Sequence, residues 1–486
     1  MSSSISSTTP TCNLQSAAER LLTLSRKRMG SRIRLWLGRD ELWLFLVFVV
    51  LYAFTAGHLL KNPSIAPYYA YLAESFLKGR AHLITPPPTG YDLLIFDGRQ
   101  YVPGGPLPAL PFIPFVWLRG GPADFPDAAV TCVWGACNVV LIYVLLRRLG
   151  RWTQMSRGTR LALAMTFGAG TPHWYIASLG TVWFTAHLCA VTCMCLYAGE
   201  VLGRNRAWMA GLWLGLAGLA RPTCWFAVPF FAVTASVHDW KRNRARRLAL
   251  KILTFGGILA ACMGLTLLYN LSRFGNLLDF GYSYVNGAAG LVELQAQYGS
   301  FNLHFASRNL SYMLTRWPDV HFPASPWLQP DPMGMSIFIV TPLLLYAFKS
   351  VQRRRLAVWF RLARTASRRY PTALRWRIFI RFFQIPPLVA FAWLSVLAVS
   401  FPLALYHNTG SFQFGYRYIL DWLPIGLILV AVGMRGVMTR WKWALVAASL
   451  SINLGGVLWL YPTFNLEGEA WGEQWVRLIK RLWSYF

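Results

Sequence analysis

The chain has 486 residues, of which 55% are hydrophobic and 13% charged, and its mean hydropathy is +0.40. That composition excludes an ordinary soluble domain, and the apolar runs recurring from Leu42 to Tyr461 read as membrane helices, because roughly 18 consecutive apolar residues suffice to cross a bilayer. The formal charge of +29 does not indicate nucleic acid: Lys and Arg gather in short segments between apolar runs, without an aromatic-basic pattern, as in the cytoplasmic loops of membrane proteins.

In chain order, residues 1–41 are Ser/Thr-rich and then basic (Arg26, Lys27, Arg28, Arg32, Arg34), and they are predicted to be a disordered cytoplasmic N-terminus. The apolar run 42–60 is too long and too far from the start for an ordinary secretory signal, and reads as a first anchor with its N-terminus inside. Residues 61–127 form a first outer loop. It carries an amphipathic helix over Tyr68–Lys78, a Pro-rich stretch (Pro86–Pro88) and an apolar helix near Leu107–Leu118. The last is too short to span and is placed on the membrane surface. Spans two to seven fall at 128–146, 160–177, 181–201, 207–220, 223–238 and 249–270. Spans five and six meet at Arg221-Pro222, where the proline disfavours helix at the residue before it. A second outer loop (271–332), span eight (333–348), a basic cytoplasmic loop (349–383), spans nine to eleven (385–405, 419–434, 443–461) and an outer tail (462–486) complete the chain.

The predicted fold class is an all-α polytopic membrane protein, with about eleven transmembrane helices in one domain over 42–461 and juxtamembrane helices in the first outer loop. The alternating strands of a barrel are absent. Charge tests the threading. With these boundaries 34 Lys and Arg but only 5 acids lie inside, against 13 basic and 13 acidic residues outside. The whole surplus is therefore cytoplasmic, as the positive-inside rule requires.

The eight cysteines form no zinc or thioredoxin spacing and read as small apolar fillers. No Walker loop, HExxH or GxSxG occurs, and no loop is large enough for a nucleotide-binding domain. Acids are scarce, and most are on the outer face. The first outer loop alone holds Glu74, Arg80, His82, Asp92, Asp97 and Arg99. Ionisable groups in or near the membrane are costly and point to function; these are His173, His187, Arg221 and Arg417. His187 reads as a packing residue. Arg221 reads either as a charge reaching for the interface or as a forked phosphate contact. Trp174, Tyr175 and Trp183 suit an interfacial belt or a sugar-stacking platform. Outer carboxylates and histidines could hold a divalent ion, although no spacing demands one.

Several segments, taken in order, carry a resemblance: YYAYLAESFLKGRAHL (68–83), YDLLIFDGRQYVPGGPLPALPFIPFVWL (91–118), NVVLIYVLLRRLG (138–150), GLWLGLAGLARPT (211–223), YNLSRFGNLLDFGY (269–282) and FGYRYILDWLP (414–424). Together they resemble the C-type glycosyltransferase superfamily (GT-C), in particular the bacterial branch similar to protein O-mannosyltransferases and aminoarabinose transferases. The resemblance implies a membrane enzyme of the bacterial inner or cell membrane. It would take a sugar from a polyprenyl-phosphate donor and pass it, with inversion, to a glycan, lipid or protein acceptor at the outer face. Nucleic acid is not an expected partner.

Such chemistry needs a carboxylate to accept the acceptor proton and cations to stabilise the departing phosphate. Many members carry an Asp-Glu pair just before the tyrosines of the first juxtamembrane helix. Here that stretch is Pro63-Ser64-Ile65-Ala66-Pro67, without an acid. The candidate bases are therefore Asp92, then Glu74 and Asp97. The candidate phosphate and substrate contacts are Arg221 and Arg417, followed by Arg80, Arg99, His82 and His173. Two other functions fit the same spans: a lipid-linked sugar transporter or flippase, and a non-catalytic membrane assembly subunit.

Overall fold

A computed structural model of the chain describes residues 38–150, 153–233, 245–320, 328–351, 386–410 and 412–464. The expectations placed on 1–37, on most of the basic loop 349–383 and on nearly all of the tail 462–486 lie outside the described residues. In chain order the elements are α1 (Arg39–Ala56), α2 (Tyr68–Leu77), β1 (Leu94–Phe96), β2 (Arg99–Tyr101), α3 (Ile113–Arg119), α4 (Asp127–Leu149), α5 (Arg157–Ala169), α6 (His173–Ser178), α7 (Val182–Leu202), α8 (Ala207–Ala220), α9 (Ala245–Phe274), α10 (Ala289–Tyr298), α11 (Ala306–Leu314), β3 (Asp319–Val320), β4 (Leu328–Gln329), α12 (Ile337–Val340), α13 (Pro387–Leu405), α14 (Leu423–Met434) and α15 (Arg440–Phe464). Short 3-10 segments join several of them.

Among the described residues six helices are long and apolar enough to cross a membrane: α1, α4, α7, α9, α13 and α15. The other apolar runs are shorter or interrupted. The run expected as one span over 160–177 is two helices, α5 and α6, separated at Gly170-Thr171-Pro172. The run 333–348 is likewise divided at Thr341-Pro342, where α12 ends and a 3-10 segment (Pro342–Ser350) begins. Run 223–238 opens as a 3-10 segment (Pro222–Phe231), and run 419–434 is α14 preceded by a 3-10 turn (Arg417–Asp421). Proline lies at or beside each break in 160–177 and 333–348, since it removes an N–H and crowds the preceding turn.

The faces of these helices divide as a bilayer requires. α1 buries Leu44, Phe48 and Tyr52 and turns Val50 and Phe54 outward at 67% and 68% exposure. α9 likewise presents Leu253, Leu265 and Leu268 outward. Continuous apolar surface of this kind is not sustained in water. Where helices meet, small residues allow close approach. A Cβ on Gly211 would lie 2.6 Å from the Phe255 carbonyl oxygen, and one on Gly215 would lie 2.5 Å from Cys262 Sγ. α8 can therefore seat against α9 only with glycine at those positions.

The two ends of the bundle differ. At one end, acids at helix termini are matched by arginines from neighbouring helices: Glu41 by Arg147, Asp40 by Arg157, and Glu200 by Arg206 at 2.9 Å. At the opposite end the long loops assemble. α2 is buried along Tyr68–Ala73, and α3 packs on it through Val116 while Trp117 and Leu118 remain exposed. The segment 107–118 thus forms a 3-10 turn followed by a short helix against α2. An antiparallel hairpin, β1–β2, stands in the same loop where only helix was expected. Its turn is Asp97-Gly98 with φ of 50° and 68°, the left-handed pair that a tight hairpin needs and that Asp-Gly supplies.

Candidate functional site

At the loop end lies a cavity of about 510 Å3. Its wall is drawn from both long loops, the N-terminal end of α7, the C-terminal ends of α8 and α9, and the segment before α14. Asp92, Arg221, Arg273 and Arg417 all line it, with an aromatic surround that includes Tyr69, Trp183, Tyr282 and Tyr418. A concave, largely apolar site with a few converging polar groups is the usual form of a small-molecule or lipid-headgroup site.

Asp92 is positioned by the second loop. Its N–H donates to the Asn286 carbonyl (2.7 Å), the Asn286 N–H donates to the Leu93 carbonyl (2.8 Å), and Asn286 Nδ2 donates to the Gly90 carbonyl (3.1 Å). Asp92 has a φ of 62°, a conformation that costs a non-glycine residue about 1 kcal/mol or more and is enforced here by those bonds. Trp183 Nε1 donates to its Oδ2 at 2.9 Å. Gly287 leaves room on the other side, because a Cβ there would lie 2.9 Å from Asp92 Oδ1. Partial burial raises the Asp92 pKa above the ordinary carboxylate value, and the Trp183 hydrogen bond and the Arg417 charge pull it back. The result is a carboxylate more basic than an exposed one.

Arg221 sits where the helix breaks. It has an extended backbone (φ −145°, ψ 107°) between α8 and the Pro222–Phe231 segment. Its Nε donates to both carboxylate oxygens of Asp421, at 2.7 and 2.9 Å. Asp421 is fully buried and also accepts from Thr223 Oγ1 at 2.6 Å, with His187 Nδ1 at 3.0 Å. The Tyr418 ring lies 5.0 Å from the Arg221 guanidinium and 5.4 Å from that of Arg417, so one ring is shared by two cations. Arg417 Nη1 donates to the Gly410 carbonyl at 3.0 Å, and its backbone N–H donates to Gln413 Oε1 at 3.1 Å.

Arg273, at the end of α9, is 4% exposed. Its Nη2 donates to Asn270 Oδ1 (2.8 Å) and its Nη1 to the Val102 carbonyl (3.3 Å), while its plane rests on Tyr269 and Phe274. Nε has no hydrogen-bond partner, and among the described residues no carboxylate lies within ion-pair distance of this guanidinium. A buried cation without a counter-charge is costly, and an anionic ligand in the cavity would relieve that cost. His407, also on the wall, has a buried Nδ1 without a partner, and burial lowers its pKa, leaving it neutral at pH 7.

Of the residues singled out from the sequence, Asp92, Arg221 and Arg417 come together in this cavity. The others stand elsewhere. Glu74 pairs with Lys78 on α2 at 2.8 Å. Asp97 forms the hairpin turn. Arg80, Arg99 and His82 form a small cluster near Tyr101, in which burial and the two arginine charges lower the His82 pKa. His173 is buried within the bundle, with Nδ1 3.1 Å from the Tyr52 hydroxyl. The acid-free stretch 63–67 meets a carboxylate from another element. Asp127 accepts from the Ser64 N–H (2.9 Å), Ser64 Oγ (2.6 Å) and the Thr181 N–H (3.1 Å), and it does not line the cavity. Asp421, Arg273, Thr223 and His407 were not singled out from the sequence. Asp421 had a readable signal as an acid within an apolar run, and Arg273 as the one cation closing span seven. His187, read as packing, is a partner of Asp421. No group of three or more His, Cys, Asp or Glu side chains that could hold a metal ion occurs among the described residues. Comparison of the chain with models of known families, with curated proteins and with solved structures finds no match.

Proposed function

We propose that this protein is a polytopic glycosyltransferase of GT-C type, transferring a sugar from a polyprenyl-phosphate donor to an acceptor at the extracytoplasmic face of a bacterial inner or cell membrane. In this reading the apolar runs make about eleven crossings, some of them by shortened or broken helices. The end rich in arginine, with the N-terminus, is cytoplasmic, and the cavity opens on the outer side. The observation that carries the reading is one cavity wall holding a half-buried carboxylate, Asp92, together with three guanidiniums, Arg221, Arg273 and Arg417.

The chemistry follows from that set. The acceptor hydroxyl gives its proton to Asp92 as its oxygen bonds to the anomeric carbon. The bond from that carbon to the phosphate oxygen breaks, its electron pair stays on the phosphate, and the arginines stabilise the added negative charge. Attack opposite the departing phosphate inverts the centre. The aromatic surround offers stacking faces for a sugar, and exposed Phe226 and Phe412 on the wall offer apolar contact for an isoprenoid chain.

The test is purified protein in detergent with a polyprenyl-phosphate hexose, measuring sugar transferred or released. Activity without a sealed membrane supports an enzyme and excludes a transporter. Full activity in Asp92→Asn would remove Asp92 as the base, and no turnover with any lipid-phosphate sugar would remove the reading.

A further inference from the structure

The cation nearest the helix break is held in an unusual way. Arg221 is bound to Asp421 through its Nε alone, which donates to both carboxylate oxygens. An arginine–carboxylate pair more often uses two nitrogens in parallel. Here the Nη1 and Nη2 groups make no hydrogen bond to the described residues, and the side chain is 19% exposed, on the cavity wall. Asp421 itself is completely buried and fixed from two further directions, by Thr223 on the segment after the break and by His187 on α7. Two separate stretches of chain, 221–223 and α7, thus converge on one carboxylate, and among the described residues its charged contact leading to the cavity is Arg221.

We infer that Asp421 is a positioning residue: it grips Arg221 by Nε so that the Nη1/Nη2 edge is presented to the cavity as a fixed pair of donors for a phosphate group, with Thr223 and His187 fixing Asp421 in turn. The identity of that phosphate as a carrier-lipid phosphate rests on the function proposed above; the positioning does not. A preset guanidinium loses less freedom on binding than a mobile one, and its planar fork matches phosphate oxygens.

The alternative role for Asp421 is simple neutralisation of Arg221, and the two roles predict opposite signs. If Asp421 only cancels charge, Asp421→Asn makes the cavity more positive and phosphate binds more tightly. If Asp421 positions, the same variant lets the guanidinium swing and phosphate binds more weakly, although the cavity has gained net positive charge.

The experiment is calorimetric titration of the full chain in detergent with farnesyl phosphate and with inorganic phosphate. It compares the unaltered protein with Arg221→Ala, Asp421→Asn, Thr223→Val and the double variant Arg221→Ala/Asp421→Asn, each checked for unchanged thermal unfolding. Positioning predicts that Arg221→Ala and Asp421→Asn each weaken farnesyl phosphate by about tenfold or more, that Thr223→Val weakens it less, and that the double variant is no weaker than Arg221→Ala alone. Tighter or equal binding in Asp421→Asn, or additive losses in the double variant, overturns the positioning role and leaves the carrier-lipid reading standing. Binding of inorganic phosphate with this pattern but none of farnesyl phosphate keeps the positioning role and overturns the carrier-lipid reading. Binding of neither overturns both. If Asp421→Asn does not fold, Thr223→Val carries the same comparison, with unchanged binding there counting against the inference.

Discussion

Trp183 donates its indole N–H to Asp92 Oδ2 at 2.9 Å, which ties the first residues of α7 to the carboxylate of the long loop that follows α1. That bond favours the ionised carboxylate, while burial opposes it. Trp183→Phe keeps the ring bulk and removes the donor. The Asp92 pKa then rises further, because the hydrogen bond that favours the ionised form is gone. The base acts only when ionised, so the acid limb of kcat/KM against pH moves to higher pH. A pH–rate profile of the variant checks the shift, and an unmoved acid limb would argue against Asp92 as the base.

Asp92→Asn separates function from stability. The folded-state pKa of Asp92 lies above its ordinary value, so ionising it costs the fold something as pH rises through that value, and the cost is absent in acid. Asparagine removes the cost and keeps an acceptor for Trp183. Transfer should fall by about a hundredfold or more, with an unfolding temperature at neutral pH equal to or above that of the unaltered protein. Thermal unfolding and turnover on the same preparation test both halves.

Gly287 sits against the same carboxylate. Alanine there would put a methyl group 2.9 Å from Asp92 Oδ1, closer than van der Waals contact allows, and the short Asp side chain must rotate away. A loss of about a hundredfold in turnover, as for ångström-scale displacement of a reacting group, with little change in unfolding temperature is the expected outcome. Normal turnover in Gly287→Ala would show that the carboxylate position is not critical.

Arg273 is a buried cation with no carboxylate within ion-pair distance among the described residues. Replacing an unpaired buried cation by an apolar residue of similar length removes its desolvation cost. Arg273→Met should therefore raise or preserve the unfolding temperature while raising the KM for the lipid-phosphate donor at least tenfold. A large loss of stability would assign Arg273 to the architecture instead.

Asp127 makes the opposite case. Its carboxylate accepts two N–H groups and one hydroxyl from Ser64 and Thr181, and it joins the loop between α1 and α2 to the start of α7. Asp127→Ala leaves the Ser64 N–H and hydroxyl without that acceptor and the Thr181 N–H with only Ser64 Oγ, at 3.1 Å, at a cost of about 3 kcal/mol. The unfolding temperature in detergent should drop by several degrees, and activity should recover at lower temperature.

The membrane character of the chain and most helix positions were readable from apolar run length, because a bilayer demands about 20 apolar residues and tolerates few charges. The break at Arg221-Pro222 was readable too, since proline constrains its predecessor locally. The division of the runs 160–177 and 333–348 was less so. Both runs stay apolar across the break, and hydropathy does not register the backbone geometry that Pro172 and Pro342 impose.

The site divides in the same way. Asp92, Arg221 and Arg417 were marked by being ionisable where ionisable groups are rare. Glu74 and Asp97 carried the same mark, yet one is paired along its own helix and the other serves a turn. Charge and loop position are properties of a residue, whereas facing a cavity is a property of its neighbours.

The sequence by itself determined a helical membrane protein, with its positive charge gathered in short segments between apolar runs, because hydrophobicity and charge act on each segment independently of the rest. Only the tertiary structure decided that Asp92 meets Trp183, that Asp421 lies behind Arg221 from 200 residues away, and that Arg273 has no carboxylate beside it among the described residues. Those relationships arise from which helix ends are packed side by side, and no local pattern along the chain encodes that.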